Sequence, residues 1–568
     1  MDLDDIAQWD TVALEQLEQS LTSRLRAIAD VRRRLDDVGR LPQWRGEAAE
    51  AARTQFQVIA DDLTHESAAI GAVKQVAGET LDAVVHLKKE LGRIRESAAA
   101  SGMAVARNGD VADLPGQPED AGADAGRERL RAELRAASRA LIRQAEDIDA
   151  DAADVMKRAA SGDIGAPDSA DGNAAAAFGE RQGHLSAPAP PPGGSPLDNR
   201  EYWDAMPQQQ RREVIEQHPE WVGNRDGIPA GVRHEANVGR FDDERTRLET
   251  ERDQLRADLD DNMFGGLFTA DDAELWYVEQ KLEDLDDLEK LVSEYPDGKL
   301  MLFDLQSGER GMAAFALGDP DTADHVSVTT PGVNTTISSL EGMTEEGKAL
   351  KAEAERQLDN AGRGNETVAT IAWLGYQPPT SSGPGNYDVP FIDQDLGRGW
   401  LIDSWQSDRA VAGAPKLASF YEGIDVASHK ADPHITALGH SYGSYTQALA
   451  LQDPGPGQPV DHAVFYGSPG INANDEPDLG LVQGHGFVMR AHDDPISVVD
   501  GFGRLGPDPV QTGLEQLSVR EATTPDGVLR EDANGHSEYP RPSGNGELRT
   551  SGYNMAVIVA GLPELAVR

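Results

Sequence analysis

The stretch that decides the fold is "HITALGHSYGSYTQALAL", His434 to Leu451. Inside it, Gly439-His440-Ser441-Tyr442-Gly443 reads G-x-S-x-G. The chain has 58 glycines in 568 residues, so this spacing alone arises by chance about a few tenths of a time. Its setting carries more information. "HITALG" is a strand-like apolar run that ends at the motif, and "YTQALAL" begins a helical pattern after it. Strand, turn and helix in that order are what a nucleophile elbow requires. The reason is steric: the serine sits at a strained backbone angle, so the residues two before and two after it must be tiny. Gly439 and Gly443 meet that need. The turn lifts the Ser441 hydroxyl off the sheet edge, and the helix N-terminus behind it favours developing negative charge.

Working outward, the same grammar holds from Lys299 onward. "KLMLFDL" and "GMAAFAL" read as strands around the turn "QSGER". Short apolar runs follow, each ending in Gly or Pro and each followed by a helical pattern: "HVSVTTPGV", "VATIAWLGY", "HITALGHS", "DHAVFYGSPG" and "GFVMRAHDDP". Strands alternating with helices predict a mostly parallel sheet flanked by helices, with the working edge at the carboxyl ends of the strands. "NMAVIVAGL" predicts a final helix.

A serine hydroxyl is a weak nucleophile; it needs a base, and the base needs an orienting acid. In this architecture the order is serine, acid, histidine. "GFVMRAHDDPISVV" supplies Asp494, directly before Pro495, with Asp493 as the alternative. His536, in "EDANGHSEYP", is the one histidine beyond Asp494. His485 and His492 precede the end of the acid loop and fit poorly. His440 lies within the elbow, and its side chain is expected to point elsewhere. The oxyanion hole needs two backbone N–H groups. Tyr442 supplies one. "HVSVTTPGVNTT" offers Gly332 and Val333 for the other, with Val333 preferred on register. "WLGYQPP", Trp373 to Pro379, is expected to line the cleft. Chemistry of this kind needs no metal or organic cofactor.

Upstream the grammar is helical. Leu14, Leu17, Leu21, Ile28, Val31, Leu35 and Val38 form an amphipathic stripe that stops at Gly39 and Pro42. A second stripe runs from Phe56 through Leu63, Ile70, Leu81 and Leu87 to Ile94, giving an antiparallel helical hairpin. "ASGMAVARNGDVADLPGQPEDAGADAG" reads as loop, and a third helix near Arg127 to Ala159 packs on the hairpin. Residues 161–198, rich in Gly, Ala, Pro and Asp, read as a flexible linker. Residues 199–296 read as helical, ending in a charged hairpin exposed on most of its surface that caps or docks. Its break is "DDNMFGGLFTADDAE", with Thr269 as a capping residue. The predicted organisation is therefore a helical bundle at 1–160, a linker at 161–198, a helical segment at 199–296 and an α/β-hydrolase domain at 297–568.

Composition narrows the partners. Lys and Arg number 52 against 99 Asp and Glu, a net charge of −47. Such a surface repels phosphate backbones and argues against nucleic acid. With no cysteine, thiolate catalysis and Cys-ligated zinc are excluded. "MDLDDIAQWD" lacks the basic and apolar regions of a signal peptide, and no run of about 18 apolar residues spans a membrane. The expected location is cytoplasmic, with export by a route that reads no such peptide left open.

An ordered set of segments carries a family resemblance: "WVGNRDGIPAGVRHEAN" (Trp221 to Asn237), "TTPGVNTT", "ALGHSYGS", "FYGSPG" and "NGHSEYP". From about Asn199 to Arg568 the chain resembles the actinobacterial α/β-hydrolases grouped as domain of unknown function 1023. The resemblance implies a serine-hydrolase fold with Ser441, Asp494 and His536 as triad, and it names no substrate. The N-terminal hairpin is similar to WXG100 proteins of type VII secretion systems, with Trp44-Arg45-Gly46 at its turn. That family's Tyr-x-x-x-Asp/Glu signal after the second helix is missing from "HLKKELGRIRESAAA". The function expected is hydrolysis of a small acyl ester or lipid. The alternatives are a secretion-associated interaction protein built on a hydrolase scaffold, partnered by a helical-hairpin protein or a second copy, and a peptidase or amidase using the same triad.

Overall fold

The computed structural model describes residues 1–40, 43–114, 125–166, 171–260, 270–380, 407–453, 458–496 and 505–568. They form two compact units, one of residues 1–193 with 201–214 and one of 194–200 with 215–568. Thr269, expected as a helix cap, lies outside the described residues.

The first unit is built on a long hairpin. Helix α1 (Leu3–Gln8) leads into α2 (Thr11–Gly39), capped by Asp10, which accepts from the N–H groups of Val12 and Ala13 at 3.0 Å. Helix α3 (Glu47–Ala100) runs for 54 residues without a break. At the turn, Trp44 packs on Phe56 with ring centroids 6.2 Å apart. Helix α4 (Ala125–Ser161) joins the hairpin through Leu134, Leu141 and Ile148, buried with Leu87, Leu91 and Ile94 of α3.

Two expectations give way here. The stretch read as loop after α3 holds a small antiparallel pair, β1 (Met103–Val105) and β2 (Val111–Asp113). The stretch read as flexible linker folds, over Gly172–Glu180, into helix α5. Small residues are its means of packing, not a sign of flexibility. A Cβ at Gly179 would stand 1.8 Å from the Ala68 carbonyl oxygen, and one at Gly183 would stand 2.2 Å from that of Ala72. Only backbone without side chain approaches α3 this closely.

The second unit is an α/β-hydrolase fold. Its eight strands are β3 (Lys299–Asp304), β4 (Met312–Leu317), β5 (His325–Thr330), β6 (Val368–Leu374), β7 (His434–His440), β8 (His462–Tyr466), β9 (Gly486–Met489) and β10 (Glu515–Gln516). They lie in the order β10-β9-β8-β7-β5-β6-β4-β3. Strands β5 to β10 are mutually parallel, while β4 runs antiparallel to both β6 and β3. This is the alternation the sequence pattern predicts, with the β3–β4 hairpin at one edge.

Both faces are covered, which is why the strands read as continuous apolar runs. One core joins Val326, Ile435 and Ala437 to Leu417 and Phe420 of α10 (Asp408–Ala427) and Ala448 of α11 (Tyr442–Leu451). The other joins Leu438, Val464 and Phe487 to Leu350 and Leu358 of α9 (Leu340–Asn360) and Val557 and Ile558 of α12 (Thr550–Val559). After α6 (Ala230–Gly239), the charged pair α7 (Phe241–Asp260) and α8 (Ala270–Glu294) is less exposed than its sequence suggests. Leu248, Leu285 and Leu288 are fully buried against Leu300, Phe303 and Phe315 at the β3–β4 edge. Each such leucine contributes about 1.5–3 kcal/mol over an exposed one, enough to dock a helix whose other faces are charged. No helix among the described residues is long and apolar enough to cross a membrane.

Candidate active site

Ser441 ends β7 and opens α11, with φ 53° and ψ −130°. Positive φ is rare outside glycine, and it aims the hydroxyl away from both elements. The flanking glycines are fixed by contact. A Cβ at Gly439 would lie 2.8 Å from Ser444 Cα, and one at Gly443 would lie 2.3 Å from the Thr330 carbonyl oxygen. The Ser441 N–H donates to the Tyr466 carbonyl at 3.0 Å, tying the elbow to β8.

Across β8, the loop after β9 carries Asp494, 1% exposed. Its carboxylate accepts from His536 Nδ1–H at 2.8 Å, the Tyr539 hydroxyl at 2.6 Å and the Ile496 N–H at 2.9 Å. Burial alone would raise its pKa; the His536 hydrogen bond and charge, with Tyr539 and Ile496, outweigh it and hold the carboxyl below its ordinary value. Asp493 is exposed on the other side of the turn, so the alternative acid is not the one the structure pairs with His536. The bonded Nδ1–H leaves His536 Nε2 as the basic nitrogen of the neutral ring.

Ser441 and His536 line one cavity of 590 Å³ together with Gly332, Val333, Thr335, Ser338 and His440. No hydrogen bond joins the Ser441 hydroxyl to His536 among the described residues; such contacts are commonly looser before substrate binds. Gly332 is forced by Ser441, since a Cβ there would sit 2.6 Å from Ser441 Cβ. Val333 follows it on the cavity wall, and its amide makes no hydrogen bond among the described residues. Asn334, at φ 62°, turns the loop away, its N–H donating to the Pro379 carbonyl at 2.9 Å. Tyr442 begins α11 behind the serine; its side chain is in the core, where its hydroxyl accepts from the Ala410 N–H at 3.1 Å. Glu346 and Arg541, paired at 2.9 Å, close another wall, with burial raising the Glu346 carboxyl.

Two placements differ from the sequence reading, and a third chooses between its alternatives. The "WLGYQPP" segment does not line the cavity. Trp373 and Tyr376 are buried, and the Tyr376 hydroxyl donates to the Pro331 carbonyl at 2.5 Å, bracing the Gly332 loop from behind. No described residue of α7 or α8 lines the cavity, so that pair docks on the sheet edge and does not cap the site. The His440 side chain does not turn away from the site; it lines the cavity and bonds the His536 backbone.

Two residues at the site escaped the sequence reading. Gly467, at φ 56°, follows β8 beneath the Asp494–His536 pair, and a Cβ there would meet Asp494 Oδ2 at 3.1 Å and His536 Nδ1 at 3.2 Å. Its signal is the "GSPG" that follows a strand. Tyr539, three residues past the histidine, is fully buried and also accepts the Ala491 N–H at 2.8 Å. Among the described residues no cluster of three or more His, Asp or Glu side chains is arranged to hold a metal ion.

Comparison with known proteins fits this architecture. A family model described as alpha/beta hydrolase matches residues 307–503, spanning strands β4 to β9 with Ser441 and Asp494. An uncharacterized protein of Mycobacterium tuberculosis, Rv0963c, is 37% identical over 270 residues, covering 46% of this chain and 93% of that protein. The chain belongs to the alpha/beta hydrolase family. A second M. tuberculosis relative, the uncharacterized protein Rv2079, is 27% identical over 380 residues, covering 62% of this chain and 54% of its own length. In the helical region, a model named for the uncharacterised protein Rv0964c matches residues 40–203. Among solved structures, that of esterase PE8 is similar at 15% identity with a TM-score of 0.26, covering 45% of this chain and 99% of that one, a likeness too slight to carry an argument.

Proposed function

We propose that this alpha/beta hydrolase is a serine esterase using Ser441 as nucleophile, His536 as base and Asp494 as the orienting acid. The observation that carries the reading is the pairing, in one cavity wall, of a strained Ser441 with a His536 whose Nδ1–H is held by buried Asp494. In this reading His536 Nε2 takes the Ser441 proton as the hydroxyl attacks an acyl carbonyl. The tetrahedral oxyanion is received by the backbone N–H groups of Tyr442 and Val333. His536 then delivers its proton to the leaving alkoxide, and water, activated by the same nitrogen, releases the acyl group. Asp494 keeps the imidazole in the Nδ1–H tautomer and stabilises the transient imidazolium.

The test is labelling with a fluorophosphonate probe beside hydrolysis of short-chain nitrophenyl esters. Folded protein should label and turn over ester, and Ser441→Ala should abolish both. Folded protein that neither labels nor hydrolyses overturns the reading. Thioester and peptide substrates assayed in parallel separate an esterase from an amidase or peptidase on the same three residues.

A second reading concerns the first unit. The α2–α3 hairpin, with Trp44-Arg45-Gly46 at its turn, favours a secretion-associated docking role of the WXG100 kind. Co-purification of a second helical-hairpin protein supports it, whereas a monodisperse single chain from its native host counts against it.

A further inference from the structure

His440 precedes the nucleophile and is not assigned a task by the three-residue chemistry, yet its side chain is spent on the base. Its Nε2–H donates to the main-chain carbonyl of His536 at 2.8 Å. Its ring lies 4.8 Å from the His536 ring and stacks on Tyr466 at 5.0 Å. Tyr466 in turn accepts the Ser441 N–H and packs against Tyr539, the donor to Asp494. We infer that His440 is a positioning residue that fixes the base to the elbow. The inference rests on the hydrolase reading for its consequence and on geometry for its substance.

The physical need is clear from the surroundings of His536. It sits in the stretch between a short antiparallel pair, Ala522–Thr523 with Leu529–Arg530, and α12, and is itself outside any ladder or helix. The Asp494 bond fixes the ring at one atom, and buried Tyr539, bonded to Asp494 and to the Ala491 N–H, anchors the chain three residues on; these contacts leave the distance between the His536 backbone and the elbow free to vary. A hydrogen bond from the residue covalently next to Ser441 removes that freedom, because nucleophile and base then hang from adjacent residues. Donation through Nε2–H requires the ring to be neutral or singly positive with that proton in place. Burial pushes His440 down to about 4, and the neighbouring His536 charge acts in the same direction, so the ring is neutral across the working range of a serine hydrolase. A neutral ring adds no charge beside the base.

The test compares His440→Phe, which keeps an aromatic ring and removes the donor, with His440→Gln, which keeps an amide donor. With a short-chain nitrophenyl ester, His440→Phe should lower kcat on the order of 10- to 100-fold with KM changed less than about twofold, the signature of a misplaced base. His440→Gln should recover part of that loss. A second readout does not depend on turnover: the imidazole resonances of His536. In the parent protein the His536 Nδ1 proton shared with Asp494 should be protected from exchange; in His440→Phe it should exchange rapidly. An active parent whose His440→Phe variant keeps full kcat and the same His536 resonances overturns the inference. An inactive parent sinks the hydrolase reading instead, and the His536 resonances of the two variants still decide whether His440 holds the base. Equal thermal unfolding of parent and variants guards against a folding defect, and His440→Gln serves if His440→Phe does not fold.

Discussion

The far edge of the sheet makes the most quantitative prediction. At the amino ends of β5, β7 and β8, His325, His434 and His462 stand side by side, and His485, just before β9, stacks on His462 with centroids 4.2 Å apart. Glu366 accepts from His325 Nε2–H at 2.8 Å. The Val559 carbonyl, 3.2 Å from His434 Nδ1, requires a proton on that nitrogen, which is shared with His325 Nδ1 at 3.1 Å. His434 Nε2 is then bare and accepts from His462 Nδ1–H at 2.7 Å. His462 Nε2, the end of the row, is buried with no partner among the described residues. The bonds within the row are consistent with neutral rings, and a second proton on His434 would meet an N–H; outside the row, Arg363 Nη2 lies 3.4 Å from His325 Nε2. Burial, then mutual repulsion, pushes His434 down to about 3 and His462 to about 4, and burial also lowers His325. A folded pKa below the unfolded value of 6.5 means stability present above pH 6.5 and lost as pH falls toward 4. For His462 alone the loss reaches about 2–3 kcal/mol by pH 4.5. Arg363, Glu366 and Asp324 face the row at one end and Asp461 at the other; burial raises Asp461 to about 6, an opposite slope that cancels between parent and variant. Chemical denaturation of the parent and His462→Phe at pH 7.5 and 4.5 should therefore differ, the parent losing about 2–3 kcal/mol more than the variant. Parallel losses in the two proteins refute the neutral row.

Other expectations follow from contacts already described. Tyr539→Phe removes one donor to Asp494, so its carboxyl pKa rises and ester turnover should fall about tenfold with the fold intact by circular dichroism. Gly332→Ala pushes a methyl onto Ser441 and should cut turnover on the order of 100-fold while melting close to the parent. Gly179→Ala sets a methyl against the α3 backbone and should destabilise the first unit by more than about 2 kcal/mol in a denaturant titration. Arg530→Met strips a fully buried guanidinium from Glu353, at 2.8 Å, and Asp526, at 3.1 Å, leaving the half-exposed Arg356 as the cation beside both; a loss of about 3 kcal/mol is expected.

What the sequence disclosed and what it hid follow from one property of parallel sheets. The elbow was legible because its requirement is local: a strand, a serine and two glycines within five residues. Asp494 and His536 were legible because chain order restricts them, and the histidine then has no rival. Residues acting across strands were not legible, because their partners lie on other strands and only register brings them together. Gly467 looks like a turn glycine until β8 is placed between the elbow and the acid. His440 was expected to turn away because a residue beside a nucleophile has no sequence reason to reach a loop 96 positions later. The histidine row had a signal that went unused: the strand runs read "HVSV", "HITA", "HAVF" and "HGFV", each opening on histidine. In consecutive parallel strands, equivalent ends become neighbours. The rule that gathers Ser441, Gly467 and Asp494 at the carboxyl edge must therefore gather those four imidazoles at the amino edge. A histidine repeated at the start of successive strands in such a fold is thus a statement about one shared environment, and α12 with its following turn packs on that environment through Val559 and Gly561.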